Sequence, residues 1–218
     1  HAQYNLSFSL ALSGELNHRC LSKAFETVLE RHQVLRTTFK EEDGQVLQRV
    51  HESIQFEIPR IDLSELSESD QAQKVDSLSL EEASGLFDLE HDLMLRVKLL
   101  VLGPTSHVML ITVHHIAADG WSLGVLTQEL NALYSAYLRG EENPLQPLGI
   151  QYTDYAHWQR QWLKEGTLQT HLNYWKTHLD DLPIVHSLPL DYPRPKLQTY
   201  NGASVHHTLN KEDLADLY

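Results

Sequence analysis

The chain has 218 residues, a formal net charge of −13 and a hydrophobic fraction of 41%. That charge argues against nucleic acid as a partner, because phosphate backbones are held by basic patches. No apolar run approaches a membrane span, no charged-then-apolar leader opens a sequence that begins His1-Ala2-Gln3-Tyr4, and the single cysteine excludes an internal disulfide and suggests a reducing compartment.

The alternating run from Tyr4 to Leu12 predicts a first strand. Asn17 is placed to cap a helix in which Leu21, Ala24, Phe25, Val28 and Leu29 recur at helical spacing, with Cys20 as a buried structural thiol. Val34 to Lys40 reads as extended, Asp43-Gly44 as a hairpin turn, and the chain returns over 45–50. A short strand is expected over 55–61 and a polar helix over 63–84. Two strong strands, Leu93 to Leu102 and His107 to Val113, flank the turn Gly103-Pro104-Thr105-Ser106. Leu123, Leu126, Leu130, Leu133 and Tyr137 then trace a helical stripe. After a linker over 140–147 come helices around 152–164 and 167–179, a Pro-rich irregular stretch, a last strand over 204–209 and a helical tail. Hairpins with packed helices predict an α/β layer domain built on a mixed sheet.

The string His114-His115-Ile116-Ala117-Ala118-Asp119-Gly120 lies where the last strong strand meets the striped helix. Histidine exchanges a proton near neutral pH, so a ring mounted at a strand end suits a general base or a hydrogen-bonding polariser. Successive strand residues point to opposite faces, so His114 and His115 are expected to divide the work, one facing a cleft and the other inward. Asp119 either caps the next helix or pairs with an arginine. Gly120 removes a Cβ where a ligand or another backbone comes close. The later pair His206-His207 lacks the Asp-Gly behind it. No Cys/His spacing suggests a metal site, and no Gly-rich phosphate loop is present.

Several segments together resemble the condensation domains of nonribosomal peptide synthetases. Arg31 to Phe39 resembles that family's RHExLRTxF, with Gln33 where Glu is usual; His114 to Ser122 resembles HHxxxDGWS; Tyr152 to Gln159 resembles YxDYAxWQ. Phe87-Asp88-Leu89 with Leu95-Arg96 resembles the FDL...LR segment, and Leu190 to Pro195 with Asn201-Gly202-Ala203 the stretch that leads away from the first lobe. The family's opening motif and its second lobe are not in the sequence, so the resemblance implies the first half of a two-lobed, V-shaped domain. It implies a chloramphenicol-acetyltransferase-like lobe over 1–180 and a crossover segment over 181–218, within a larger cytoplasmic enzyme.

The resemblance also implies a chemistry. An upstream acyl or peptidyl thioester is attacked by the amine of a downstream aminoacyl thioester, and an amide forms. No cofactor is bound directly; both substrates arrive on the phosphopantetheine arms of upstream and downstream peptidyl carrier proteins, with an adenylation domain adjacent and the C-terminal lobe as the other wall of the tunnel. His115 is implied at the reacting centre. His114 and Asp119 are implied to be architectural, Asp119 paired with Arg31 or Arg36, and Gly120 to keep the tunnel floor free of side chain. Trp121 and Trp158 are expected to be packing residues. Rival readings are a coenzyme A-dependent HxxxD acyltransferase, a cyclising or epimerising sister domain, and a non-catalytic lobe that docks partners.

Overall fold

The structure, a computed structural model, describes residues 2–185, 187–197, 205 and 208–211. The chain divides into two units, His1–Trp175 and Lys176–Tyr218. In the first, a four-stranded sheet runs in the order β1 (Asn5–Ser13), β6 (Ser106–His114), β5 (Leu95–Gly103), β4 (Arg60–Asp62). β1 and β5 both pair antiparallel to β6, while β4 lies parallel to β5, which makes the sheet mixed. A separate hairpin joins β2 (Thr37–Glu42) to β3 (Gln45–Val50) through Asp43 and Gly44, both at positive φ (51° and 74°), as a tight primed turn requires.

Helices cover both faces of the sheet. Leu95, Val97, Leu99, Met109, Ile111 and Val113 point to one side, against α1 (His18–Arg31) and α3 (Gly120–Leu138). Leu100 and Leu110 point to the other, where Leu63, just after β4, and Leu78 of α2 (Glu68–Ser84) cover them. This is the period-2 consequence of strands buried on both faces. The helical stripes fall where their spacing puts them: Leu21, Ala24, Phe25, Val28 and Leu29 are buried on α1, and Leu126, Leu130, Leu133 and Tyr137 on α3. Each such large side chain contributes about 1.5–3 kcal/mol when fully buried. Asn17 caps α1 by accepting from the Cys20 N–H at 3.1 Å. Cys20 itself is half-buried at the edge of the core.

Three boundaries depart from the sequence reading. The segment expected to be extended from Val34 opens instead with a 3-10 turn, Gln33–Arg36, because the Arg36 side chain reaches back to the last carbonyls of α1. The strand expected over 55–61 is reduced to Arg60–Asp62. Pro59 has no N–H to give a ladder; only its carbonyl pairs, accepting from Leu99 at 2.9 Å. The helix expected from 63 begins at Glu68, because Ser67 is its cap, its hydroxyl accepting from the Asp70 N–H at 3.2 Å. Helices α4 (Tyr152–Trp162) and α5 (Leu168–His178) are joined by a π-helical turn, Leu163–Thr167. The strand expected over 204–209, with its His206-His207 pair, and the tail behind it fall for the most part outside the described residues.

Candidate active site

Three strand ends converge at the histidine pair. In register, Asn5 opposes His114 and Leu6 opposes Val113 on one side, while Leu95 opposes Val113 on the other. The His114 N–H donates to the Met94 carbonyl at 3.0 Å, and the His115 N–H donates to the Tyr4 carbonyl at 2.8 Å. The chain then turns at once: the Ala117 N–H donates to the His114 carbonyl at 2.9 Å.

β6 ends at His114, and His115 opens the turn while its N–H still pairs with the Tyr4 carbonyl beside β1. Both histidines line one cleft of about 630 Å³, walled by Tyr4, Leu86, Phe87 and Ile116. They still differ in role. The half-buried His114 ring packs edge-on to Phe87 (5.5 Å, 75°) and tilted to Tyr4 (6.2 Å). Its Nδ1 accepts the Ile116 N–H at 3.0 Å, which assigns the proton of the neutral ring to Nε2. Burial, the leading cause, holds its pKa below the usual histidine value, with the adjacent His115 adding to the shift. His115 is exposed, and its side chain engages no hydrogen-bond or ion-pair partner among the described residues.

Asp119 is the N-cap of α3. Its Oδ1 accepts from the Ser122 N–H at 2.8 Å and the Ser122 hydroxyl at 2.6 Å, while the Ser122 Oγ accepts from the Asp119 N–H at 3.2 Å. The Ser122 hydroxyl and then its N–H hold the carboxyl below the usual aspartate value. The expected pairing with Arg31 or Arg36 is therefore overturned, and the capping alternative stands. Both arginines are engaged at the end of α1. Arg31 Nε donates to Glu129 at 2.9 Å and its Nη1 to the Gln146 carbonyl at 2.5 Å. Arg36 donates to the carbonyls of Leu29 at 3.0 Å, Glu30 at 3.1 Å and His51. Gly120 is the first residue of α3, and a Cβ built on it meets no atom within 4 Å. Any close neighbour it accommodates is not among the described residues.

The tryptophan expectation is also corrected. Trp121 is 85% exposed and Trp158 54% exposed. Trp121, second in α3, stands off the stripe of Leu126, Leu130 and Leu133 and borders an apolar cavity of about 400 Å³ with Ala117, Val125, Tyr152 and Tyr155. Trp158 stacks on Trp162 (5.8 Å, 11°) along the outside of α4.

Two supporting residues escaped the sequence reading. Glu129 sits between Leu126 and Leu133 at helical spacing, so a carboxylate lies against the apolar face of α3. It is satisfied by Arg31 and by His32, whose Nε2 lies 2.6 Å away. A charge within a buried stripe was the available signal. Gln151 donates to the Arg31 carbonyl at 2.9 Å and accepts from the Gln33 N–H at 3.2 Å, tying the RHQ segment to the start of α4. Nothing in its local sequence marks it.

A family model described as Condensation domain matches residues 1–218. The chain belongs to the condensation-domain family. It is 40% identical over 214 residues to a linear gramicidin synthase of Brevibacillus parabrevis, covering 98% of this chain and 3% of that protein. It is 41% identical over 202 residues to malpibaldin synthetase of Mortierella alpina, covering 93% of this chain and 4% of that protein. Among solved structures, the X-domain from teicoplanin biosynthesis superimposes with a TM-score of 0.77 at 31% identity, over 88% of this chain and 42% of that one. The starter condensation domain of rhizomide synthetase RzmA gives a TM-score of 0.75 at 18% identity, over 84% of this chain and 44% of that one, and shares the fold. The condensation-domain chain thus has the chloramphenicol-acetyltransferase-like α/β fold, and it spans under half the length of these solved relatives. Among the described residues, no helix of this condensation domain is long and apolar enough to cross a membrane.

Proposed function

We propose that this chain supplies one wall of an amide-forming site in a longer nonribosomal peptide synthetase, with His115 at the reacting centre. Residues 1–180 serve as the first lobe and 181–218 lead to the second. A neutral amine of a carrier-bound aminoacyl thioester attacks the carbonyl of an upstream acyl or peptidyl thioester. The C–N bond forms, the C–S bond breaks, the amine gives up one proton and the departing thiolate takes one. An amino group of pKa about 7.7–8.0 is partly neutral at physiological pH, so the site's task is to position two ends and handle that proton. His115 takes the proton or orients the amine.

The observation that carries this reading is the contrast within the pair. The His114 ring is held by Phe87, Tyr4 and the Ile116 N–H, whereas His115 opens on the shared cleft with its ring free to meet a substrate. Both thioesters arrive on phosphopantetheine arms of peptidyl carrier proteins, an adenylation domain stands adjacent, and the enzyme works in the cytoplasm. No cofactor is held by the lobe itself.

A single-turnover assay tests the assignment. The longer synthetase is offered the donor acyl group either on a carrier protein or on coenzyme A, with an aminoacyl carrier as acceptor. Amide formation from the carrier-bound donor supports the proposal. Transfer from coenzyme A alone would assign the chain to the coenzyme A-dependent acyltransferases, and stable capture of a partner without turnover would make it a docking lobe.

A further inference from the structure

The segment between α2 and β5 carries the Phe87 motif, yet the chemistry above gives it no task. Its geometry links it to the histidine pair. The C-terminal end of α2 leaves carbonyls without helical partners. Two side chains satisfy them. Arg96, on β5, donates to the carbonyls of Leu86 at 2.9 Å, Gly85 at 3.0 Å and Glu82 at 3.2 Å. Asn5, on β1, donates to those of Ala83 at 2.9 Å and Gly85 at 2.8 Å. A guanidinium at a helix C-terminus also opposes the negative end of the helix dipole.

The same guanidinium lies over the Phe87 ring, its Cζ 4.0 Å from the ring centroid. Phe87 also meets the His114 ring, 5.5 Å away and nearly perpendicular. Glu82 stands behind Arg96: it is buried, its Oε2 lies 3.5 Å from Arg96 Nε as an ion pair without a hydrogen bond, and its Oε1 meets Lys98 at 2.6 Å. Gly85 leaves room for the arrangement, since a Cβ there would come within 3.1 Å of Arg96 Nη2. Charge, ring and imidazole thus stand in one row, braced at the far end by a buried carboxylate.

From this row we infer that Arg96 is a positioning residue, which acts through Phe87 to hold the His114 ring and with it the loop that presents His115. It touches neither substrate nor reacting atoms. A cation over a ring at this range contributes directional attraction, and an edge-on aromatic contact fixes the second ring's plane. Lysine does not replace it fully, because one ammonium cannot meet three carbonyls and cover a ring at once. The inference rests on the proposed role of His115, but its main readout does not need turnover.

The test uses labelled histidine, with the His114 resonances assigned by their loss in His114→Asn. In the wild type, His114 is expected to show one neutral form, protonated at Nε2. In Arg96→Met and in Phe87→Leu the expected result is a mixture of both tautomers in a folded protein, with Arg96→Lys in between. Phe87→Leu leaves the arginine's carbonyl bonds in place, so it reports even where Arg96→Met does not fold, and Arg96→Lys then speaks for the arginine. A wild-type His114 signature in folded Arg96→Met, or in both Phe87→Leu and Arg96→Lys, would overturn the inference. In the amide assay of the longer synthetase the same variants should lose about 10-fold or more in kcat with KM little changed, as a displaced reacting group does; unchanged kcat would overturn the positioning role. Absence of amide formation by the wild-type enzyme would refute the proposed function, while the tautomer measurement would still decide whether Arg96 orders His114.

Discussion

The guanidinium of Arg31 meets the carboxylate of Glu129 at 2.9 Å, and this contact joins the last turn of α1 to the middle of α3. The side chains are only 15% and 12% exposed, so neither charge is well hydrated, and Glu129 also holds His32. α3 starts at the Asp119 cap, so the helix that carries the motif's end is anchored against the segment that carries the other matched motif. Breaking one side of such a pair leaves the other buried and unmatched.

Glu129→Ala is therefore expected to cost about 3 kcal/mol of folding stability. Urea unfolding of the chain and its variant measures this. A variant within about 0.5 kcal/mol of the wild type, as for an ordinary surface change, would show that the pair contributes nothing.

Asp119 makes a different prediction from the one a salt bridge would give. As a cap it should be replaceable by Asn or Ser, which keep an acceptor for the Ser122 N–H, and not by Ala. Thermal melts should show Asp119→Ala lowered by a few degrees and Asp119→Asn close to wild type. Melting curves in high salt add a check: a cap hydrogen bond is little screened, whereas an exposed ion pair is. Equal losses in Asn and Ala would argue that the negative charge itself is what matters.

The lowered pKa of His114 sets a direction for pH dependence. The unfolded ring takes a proton near pH 6.5, and the folded ring takes it only at lower pH. Between those values the unfolded state binds more protons, so stability is present in full above the unfolded pKa and is lost as pH falls through the folded one. Protonation also removes the Nδ1 acceptor of the Ile116 N–H. His114→Asn should thus flatten the decline in melting temperature between about pH 7 and 5 relative to wild type. An identical slope in both proteins would place the pH sensitivity elsewhere.

Much of the fold was legible because hydrophobic period speaks directly to burial. Leu21, Ala24, Phe25, Val28 and Leu29 repeat at helical spacing and are all buried, and Asp43-Gly44 makes the hairpin its residue types require. Ends were harder. Pro59 silently shortened a strand, and Ser67 delayed a helix that the spaced leucines placed earlier. At the site, the string from His114 to Gly120 was readable as strand, turn and cap. The partner of Asp119 was not, because which arginine a carboxylate meets depends on where α1 ends in space, and there Glu129 and open carbonyls claim both candidates. Trp121 misled for a related reason: residue type predicts burial only on average, and the second residue of a helix can point away from its stripe.

His115 is the residue proposed for the reacting centre. The most direct measurement is single-turnover amide formation between two carrier-bound thioesters by the longer synthetase carrying His115→Ala, with its folding checked by melting. A ring that handles the proton predicts a loss of about 10²–10⁴-fold at unchanged stability, and a ring that only orients the amine a smaller loss that varies with the acceptor. If it supplies one wall of the site, as proposed, the 218-residue chain alone should give no amide. Wild-type rates from His115→Ala with every acceptor tried would remove His115 from the reacting centre.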